Sequence, residues 1–417
     1  MERSAVVSAG ERLELTKIRA NGTSNKSMLP VPYSVDEEAL RRDITSHLQS
    51  IALNGNRLGG APSKEQIRYI HRLHREAARE RIRLALGTRL GQFIEEIANG
   101  NEVCPEKMRP YLVEARSGTH TGDLFRFATL LWSIPVSQGY GRRLRFLVKD
   151  RTNGKLMGIF ALGDPVFNLR ARDAWIGWNQ AARREKLVNL MDAYAVGAVP
   201  PYSYLLGGKL VTSLIASKEV ADVFQERYGD REGIISGSRK AARLALVTVT
   251  SALGRSSMYN RLRLFANGEN RSTNSPVVEL VKVGTTMGYG HFQISDELFS
   301  RLREFLRETE HPYVDGHQFG NGPNWRIRLL RVGLESIGLN ADHTLKHGIQ
   351  REVYVMPIGS NSRAFLTGID AELAFDRRSV EEISHLAKRR WVVPRAHRRP
   401  AYQQFRRDGL LGPDPQT

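Results

Sequence analysis

Residues 142–163 confine this chain to a fold built around a β-sheet. Leu144, Phe146 and Val148 recur at every second position, with Arg143, Arg145 and Lys149 between and beside them, which is the period of a half-buried strand. Arg151-Thr152-Asn153-Gly154-Lys155 supplies turn chemistry, and Leu156 to Gly163 (LMGIFALG) is a continuous apolar run of strand length. Beyond this hairpin, helical and strand-like patterns alternate. Helices are expected at about 180–190, 204–217, 256–264, 296–307 and 324–337, and strands at about 191–199, 244–250, 277–283 and 290–294. Such alternation predicts an α+β or α/β core, a mixed sheet with helices on both faces.

Before the hairpin the pattern is helical. Ser34, with Glu37 three residues on, reads as the capping box of a helix to about residue 53. Ser63 with Gln66 opens a longer helix to about residue 86, and a shorter one follows at 89–98. The expected organisation is a flexible tail over 1–30, a helical region over 31–102, an α/β core over 103–370 and a basic tail over 371–417. No apolar run approaches the roughly 18 residues of a membrane helix, and the start of the chain lacks a secretory pattern. The lone Cys104 excludes an intrachain disulfide and fits a reducing compartment. A soluble cytoplasmic protein with no membrane partner is expected.

The chain holds 62 Lys and Arg against 44 Asp and Glu, a net charge of +18, which points to polyanions such as DNA or RNA as partners. The placement of that charge matters more than its sum. Arg68, Arg72, Arg75, Arg79 and Arg83 recur at steps of three or four and so share one helix face, while Ile67, Ile70, Leu73, Ala77 and Leu84 fall on another. A guanidinium stripe has the geometry of a phosphate-tracking surface. The alternative is a solvated face partly neutralised by Glu65, Glu76 and Glu80. A second cluster, Lys388 to Arg407, carries eight basic residues and no acid, among them Arg389, Arg390, Arg398 and Arg399, interleaved with Trp391, Tyr402 and Phe405. That mixture suits a single strand, whose bases stack on rings while guanidinium groups hold phosphates. It suits an acidic partner protein equally well.

Catalytic motifs are scarce. Gly207-Gly208-Lys209 is followed by Leu210 and lacks the upstream glycine of a nucleotide-binding P-loop, so an NTPase role is not expected. His343 and His347 have helical spacing but no evident third ligand, and no metal site is expected. Asp164, Asp173 and Asp192 can be imagined as a two-metal nuclease set, although Asp164 sits in turn chemistry. Gly320, Gly322 and Pro323 precede a helix either as an anion-binding turn or as an ordinary helix start. The better catalytic candidates are Lys209, Arg255, Ser256 and Tyr259, because the turn after residue 250 is dense in polar groups.

Six segments in series, WSIPVSQGYGRRLRFLV, GDPVFNLRARDAWIGW, MDAYAVGAVPPYSYLLGGKL, ALVTVTSALGRSSMYNRL, VGTTMGYGHF and FGNGPNWRIR, resemble the motifs of the DruA family of Druantia defence systems. The resemblance covers roughly 103–369 and implies an anti-phage role beside other components, including a large helicase-like protein. It carries no catalytic mechanism. The strand order also looks similar to the acetyltransferase-like (GNAT) fold, which would place PPYSYLLGGKL at a pyrophosphate-binding turn and Tyr259 on a catalytic helix. That superfamily's Gln/Arg-x-x-Gly-x-Gly/Ala is not met by Tyr204 to Lys209, and no cofactor is expected. An enzyme modifying a nucleotide or protein, and a nuclease or strand-transfer subunit, stand as alternatives to a nucleic-acid-binding component.

Overall fold

The alternating run and the apolar run form the hairpin that their patterns predict. Strands β2 (Arg143–Asp150) and β3 (Leu156–Gly163) pair antiparallel with Phe146 opposite Phe160, whose ring centroids lie 5.0 Å apart. The computed structural model describes residues 36–410 apart from 55–62, 137–140, 233–238, 267–274, 290–293, 313, 316–322 and 375–377. Around the hairpin stand β1 (Pro110–Glu114), β4 (Leu190–Ala198), β5 (Leu246–Thr250), β6 (Val281–Tyr289) and β7 (Lys346–Pro357), in the order β1-β2-β3-β4-β5-β7-β6. Neighbours in this sheet run antiparallel except β4 and β5, which run parallel. The fold is α+β, with a mixed sheet.

Both faces are covered, as a fully apolar β3 requires. Phe146, Val148 and Phe160 pack with Leu210 and Val211 of a helix over Gly207–Ser213. On the opposite face Leu147, Ile159 and Ala161 meet Leu124 and Phe127 of a helix over His120–Thr129. Leu190 and Leu246 meet Ile176 and Phe365 on that face too. No helix among the described residues is long and apolar enough to cross a membrane.

Several expectations are corrected. The first helix spans Glu37–Asn54, and its opening amides at Glu38 and Ala39 bond the Asp36 carboxylate; Ser34 lies outside the described residues, as does 1–30. Leu40 and Ile44 of this helix bury against Leu298 and Leu302 (helix Asp296–Glu308) and Leu329 and Leu330 (helix Pro323–Ser336). Ser63 and Gln66 make the expected capping box. The helix it opens is interrupted at His71, which separates Lys64–Ile70 from Arg72–Leu86. The interruption shifts the helical phase: Leu86 is buried and Leu84 is 73 % exposed. Residues 257–261 form turns instead of a helix, because Gly254 and Arg261 take positive φ (65° and 57°) and Ser256 Oγ bonds the Met258 amide.

The basic segment expected as a tail is folded. Val380–Ala387, Lys388–Val392 and Val393–Arg398 are successive helical turns, and Trp391 (8 % exposed) and Tyr402 (5 %) bury in the core cluster under the sheet. The aromatic rings pack, and the arginines between them face outward. Trp391→Ala is expected to destabilise the protein by about 3–5 kcal/mol, the usual range for emptying a buried aromatic site. Urea unfolding of the variant against wild type measures it.

Candidate functional site

At its start β4 pairs with β5, Leu190 to Ala193 lying beside Leu246 to Val249. On its other edge Ala193 faces Leu162 and Ala195 faces Ala161, so Tyr194 is an extra residue, a β-bulge. The bulge reverses which way successive side chains point, and the pairing of β4 with β5 ends beside it at Ala193 and Val249. Beyond it, Val196 and Ala198 pair with β3 alone among the described residues. Beside this stretch of β4 lies a cleft of about 390 Å³. Its walls include Trp132 to Val136, Thr250 to Leu253 and Ser256 to Tyr259. Gly197 lets the Trp132 ring lie against the strand: a Cβ there would fall 2.7 Å from the indole nitrogen.

Three of the four catalytic candidates, Lys209, Ser256 and Tyr259, line this cleft. Lys209 Nζ donates to the Asn260 carbonyl at 2.7 Å and lies 5.4 Å from the centre of the Trp391 ring. Burial, with the Arg390 charge behind it, brings the Lys209 ammonium down to about 8. Burial pushes the Tyr259 phenol up, and its ring sits 5.7 Å from that of Tyr354. Arg255 is exposed and points elsewhere. Its charge acts on Glu352 and Tyr354, in a network where the Lys282 ammonium and the Tyr354 hydroxyl donate to the two Glu352 oxygens.

The depressed Lys209 value makes a stability prediction. The unfolded chain keeps this proton up to about 10.5, so from about pH 8 to 10.5 it binds more protons than the folded protein, and stability rises with pH. Below that window both states are protonated and burial is at its most unfavourable. Lys209→Met should remove the rise, which denaturant midpoints taken on either side of pH 8 will show.

The three aspartates each accept hydrogen bonds within the fold. Asp164 accepts from the Arg142 amide at 2.9 Å and from its Nε at 2.6 Å. Asp173 accepts from Arg172 Nε at 2.8 Å and Arg183 at 3.1 Å. Asp192 accepts from the Val166 amide at 2.9 Å, and burial raises its carboxyl to about 6. Among the described residues no group of three His, Cys, Asp or Glu is placed to hold a metal ion. Gly320 and Gly322 lie outside the described residues.

The arginine groups approach the cleft from opposite faces of the sheet. Arg68 Nε donates to Ser133 Oγ at 3.4 Å, and Ser133 lines the cleft. Arg79 Nε donates to the Leu130 carbonyl at 3.1 Å, three residues before Ser133. Arg75 stands between them in the stripe, and Arg83 is exposed at its far end. Acids take part of this charge: Glu65 is 3.6 Å from Arg68, and Glu76 is 3.6 Å from Arg72. On the other face Arg390 lies 5.8 Å from the Trp391 ring that also meets Lys209, and Arg395 donates to the Tyr204 carbonyl beside the cleft residue Ser203. Arg389, Arg398 and Arg399 are exposed beyond it.

Fold and site define an α+β protein with a cleft beside β4 of its mixed sheet, approached by two groups of arginines. A profile of the family described as Druantia protein DruA matches residues 61–368, which takes in the arginine stripe and the cleft loops. The chain is 44% identical over 386 residues, 91% of its own length and 93% of the relative's, to the Druantia protein DruA of Escherichia coli (strain UMEA 4076-1). This chain belongs to the DruA family. No solved structure matches it, so the likeness of its core to acetyltransferases gains no support from that side.

Proposed function

We propose that this chain is a component of a multi-protein anti-phage defence system, acting beside other Druantia proteins, including a helicase-like one, and that it binds DNA or RNA through the basic surfaces flanking the β4–β5 cleft. One observation carries the reading: two arginine groups from opposite ends of the chain reach the same cleft, one through Ser133 and the other through Trp391 and Lys209. Evenly spread solubilising charge has no reason to converge in this way. The contacts are to phosphate, so binding is expected to show little sequence preference and a log–log salt slope approaching about −0.9 for each phosphate neutralised on duplex DNA. Titrations from low to physiological salt test it, and binding that ignores salt would sink the reading.

A second reading, an enzyme that modifies a nucleotide or protein, is favoured by the presence of Lys209, Ser256 and Tyr259 in one cleft. Under that reading Tyr259→Phe, which removes only a hydroxyl, abolishes phage protection at matched expression. Under the binding reading protection survives.

A further inference from the structure

The cleft itself has a chemistry that the flanking arginines do not explain. Its lining is mostly apolar and aromatic, with Trp132, Ile134, Met258 and Tyr259 prominent, and among the described residues no carboxylate lines it. The cation in its wall is Lys209, set beside Trp391. Hydroxyl side chains also line it, Ser133, Ser256 and Ser257 among them. Past the bulge, the edge of β4 that β5 has left runs along the cleft with backbone donors and acceptors in alternation. At about 390 Å³ the space suits one small flat ligand and excludes a double helix. A flat apolar body with hydrogen-bonding edges, joined to an anion, is the chemistry of a nucleotide.

We propose that the cleft receives one nucleotide of an unpaired strand, its base among Trp132, Met258 and Tyr259, its edge along β4 beyond Tyr194 and its phosphate at Lys209. This rests on the binding reading above. The arginines then hold the backbone on either side of the inserted nucleotide. Stacking and backbone bonding tolerate any base, in keeping with weak sequence preference.

Fluorescence anisotropy tests it with a labelled oligothymidine strand and with a blunt duplex of the same length, at one salt concentration. Ala252→Trp and Ser257→Trp, both at lining positions, each fill the cleft without changing charge, and an unchanged unfolding midpoint shows which of them keeps the fold. Wild type is expected to bind the strand more tightly than the duplex. The filled cleft is expected to weaken strand binding at least about tenfold, a loss of the size that stacking one base brings, and to leave duplex binding within about twofold. Equal losses on both ligands, or no loss on either, overturn the proposal while leaving charge-driven binding intact. Wild type binding neither ligand fails the parent reading instead. A thymidine monophosphate that binds wild type but not the filled variants, with strand binding unaffected, identifies the occupant as a free nucleotide and also overturns the proposal.

Discussion

Asp173→Ala is expected to destabilise the folded protein by about 3–5 kcal/mol, because it strips the counter-charge from a buried guanidinium. Arg172 is 0 % exposed and directs its donors at Asp173 Oδ1 (2.8 Å), the Val166 carbonyl (2.9 Å) and the Phe167 carbonyl (3.3 Å). The other Asp173 oxygen accepts from Arg183 at 3.1 Å and the Leu169 amide at 3.3 Å. Without the carboxylate, two guanidinium groups face one another across a dry site and the 166–169 turn loses its anchor. Denaturant midpoints and the amount of folded protein in cells measure the effect, and lost phage protection should track lost fold. The milder Asp173→Asn separates the readings. If it keeps the wild-type midpoint and still abolishes protection, Asp173 acts in chemistry and the nuclease alternative returns.

The second large effect concerns the arginine groups. Replacing Arg68, Arg72, Arg75 and Arg79 with Gln keeps a polar side chain of similar helix propensity while removing four charges from one helix face. If each of the four neutralises a phosphate, the salt slope on duplex DNA should become shallower by up to about 3.6, at about 0.9 per contact. Replacing Arg389, Arg390, Arg398 and Arg399 removes the same charge from the opposite approach to the cleft. Because that segment is folded and anchored by Trp391 and Tyr402, its charges are held as rigidly as those of the stripe. Comparable losses from the two sets are therefore expected, each well above the effect of any single arginine. A loss confined to the C-terminal set would make the stripe an ordinary solvated face, which its 3.6 Å pairs with Glu65 and Glu76 already favour in part.

The hairpin at the centre of the fold was legible because its two signals, alternation and then a turn with a continuous apolar run, depend on local geometry alone. The Ser63 cap was readable for the same reason. Strand β7 was not, although it is the longest in the sheet at 12 residues. Arg351, Glu352 and Tyr354 interrupt its apolar pattern, and what lets Glu352 sit inside is the Lys282 ammonium on β6, a partner distant in sequence. In the C-terminal segment, aromatics among arginines have the composition of a strand-binding arm. Whether such rings stack on bases or pack under a sheet is decided by tertiary contacts, and here Trp391 and Tyr402 pack. The cleft was half readable. Lys209, Ser256 and Tyr259 stood out by their company in sequence, but Trp132 gave no signal. The bulge at Tyr194 that opens the site exists only as a register shift between two strands.

Photochemical cross-linking of one uniformly substituted oligonucleotide, mapped by mass spectrometry, tests the central claim most directly. If the two basic surfaces and the cleft between them form one nucleic-acid site, a single bound strand should cross-link to the helix carrying Arg68 to Arg83, to the segment from Arg389 to Arg399, and to the walls around Lys209 and Tyr259. Cross-links confined to one arginine group, or lying wholly away from the β4–β5 cleft, would contradict it.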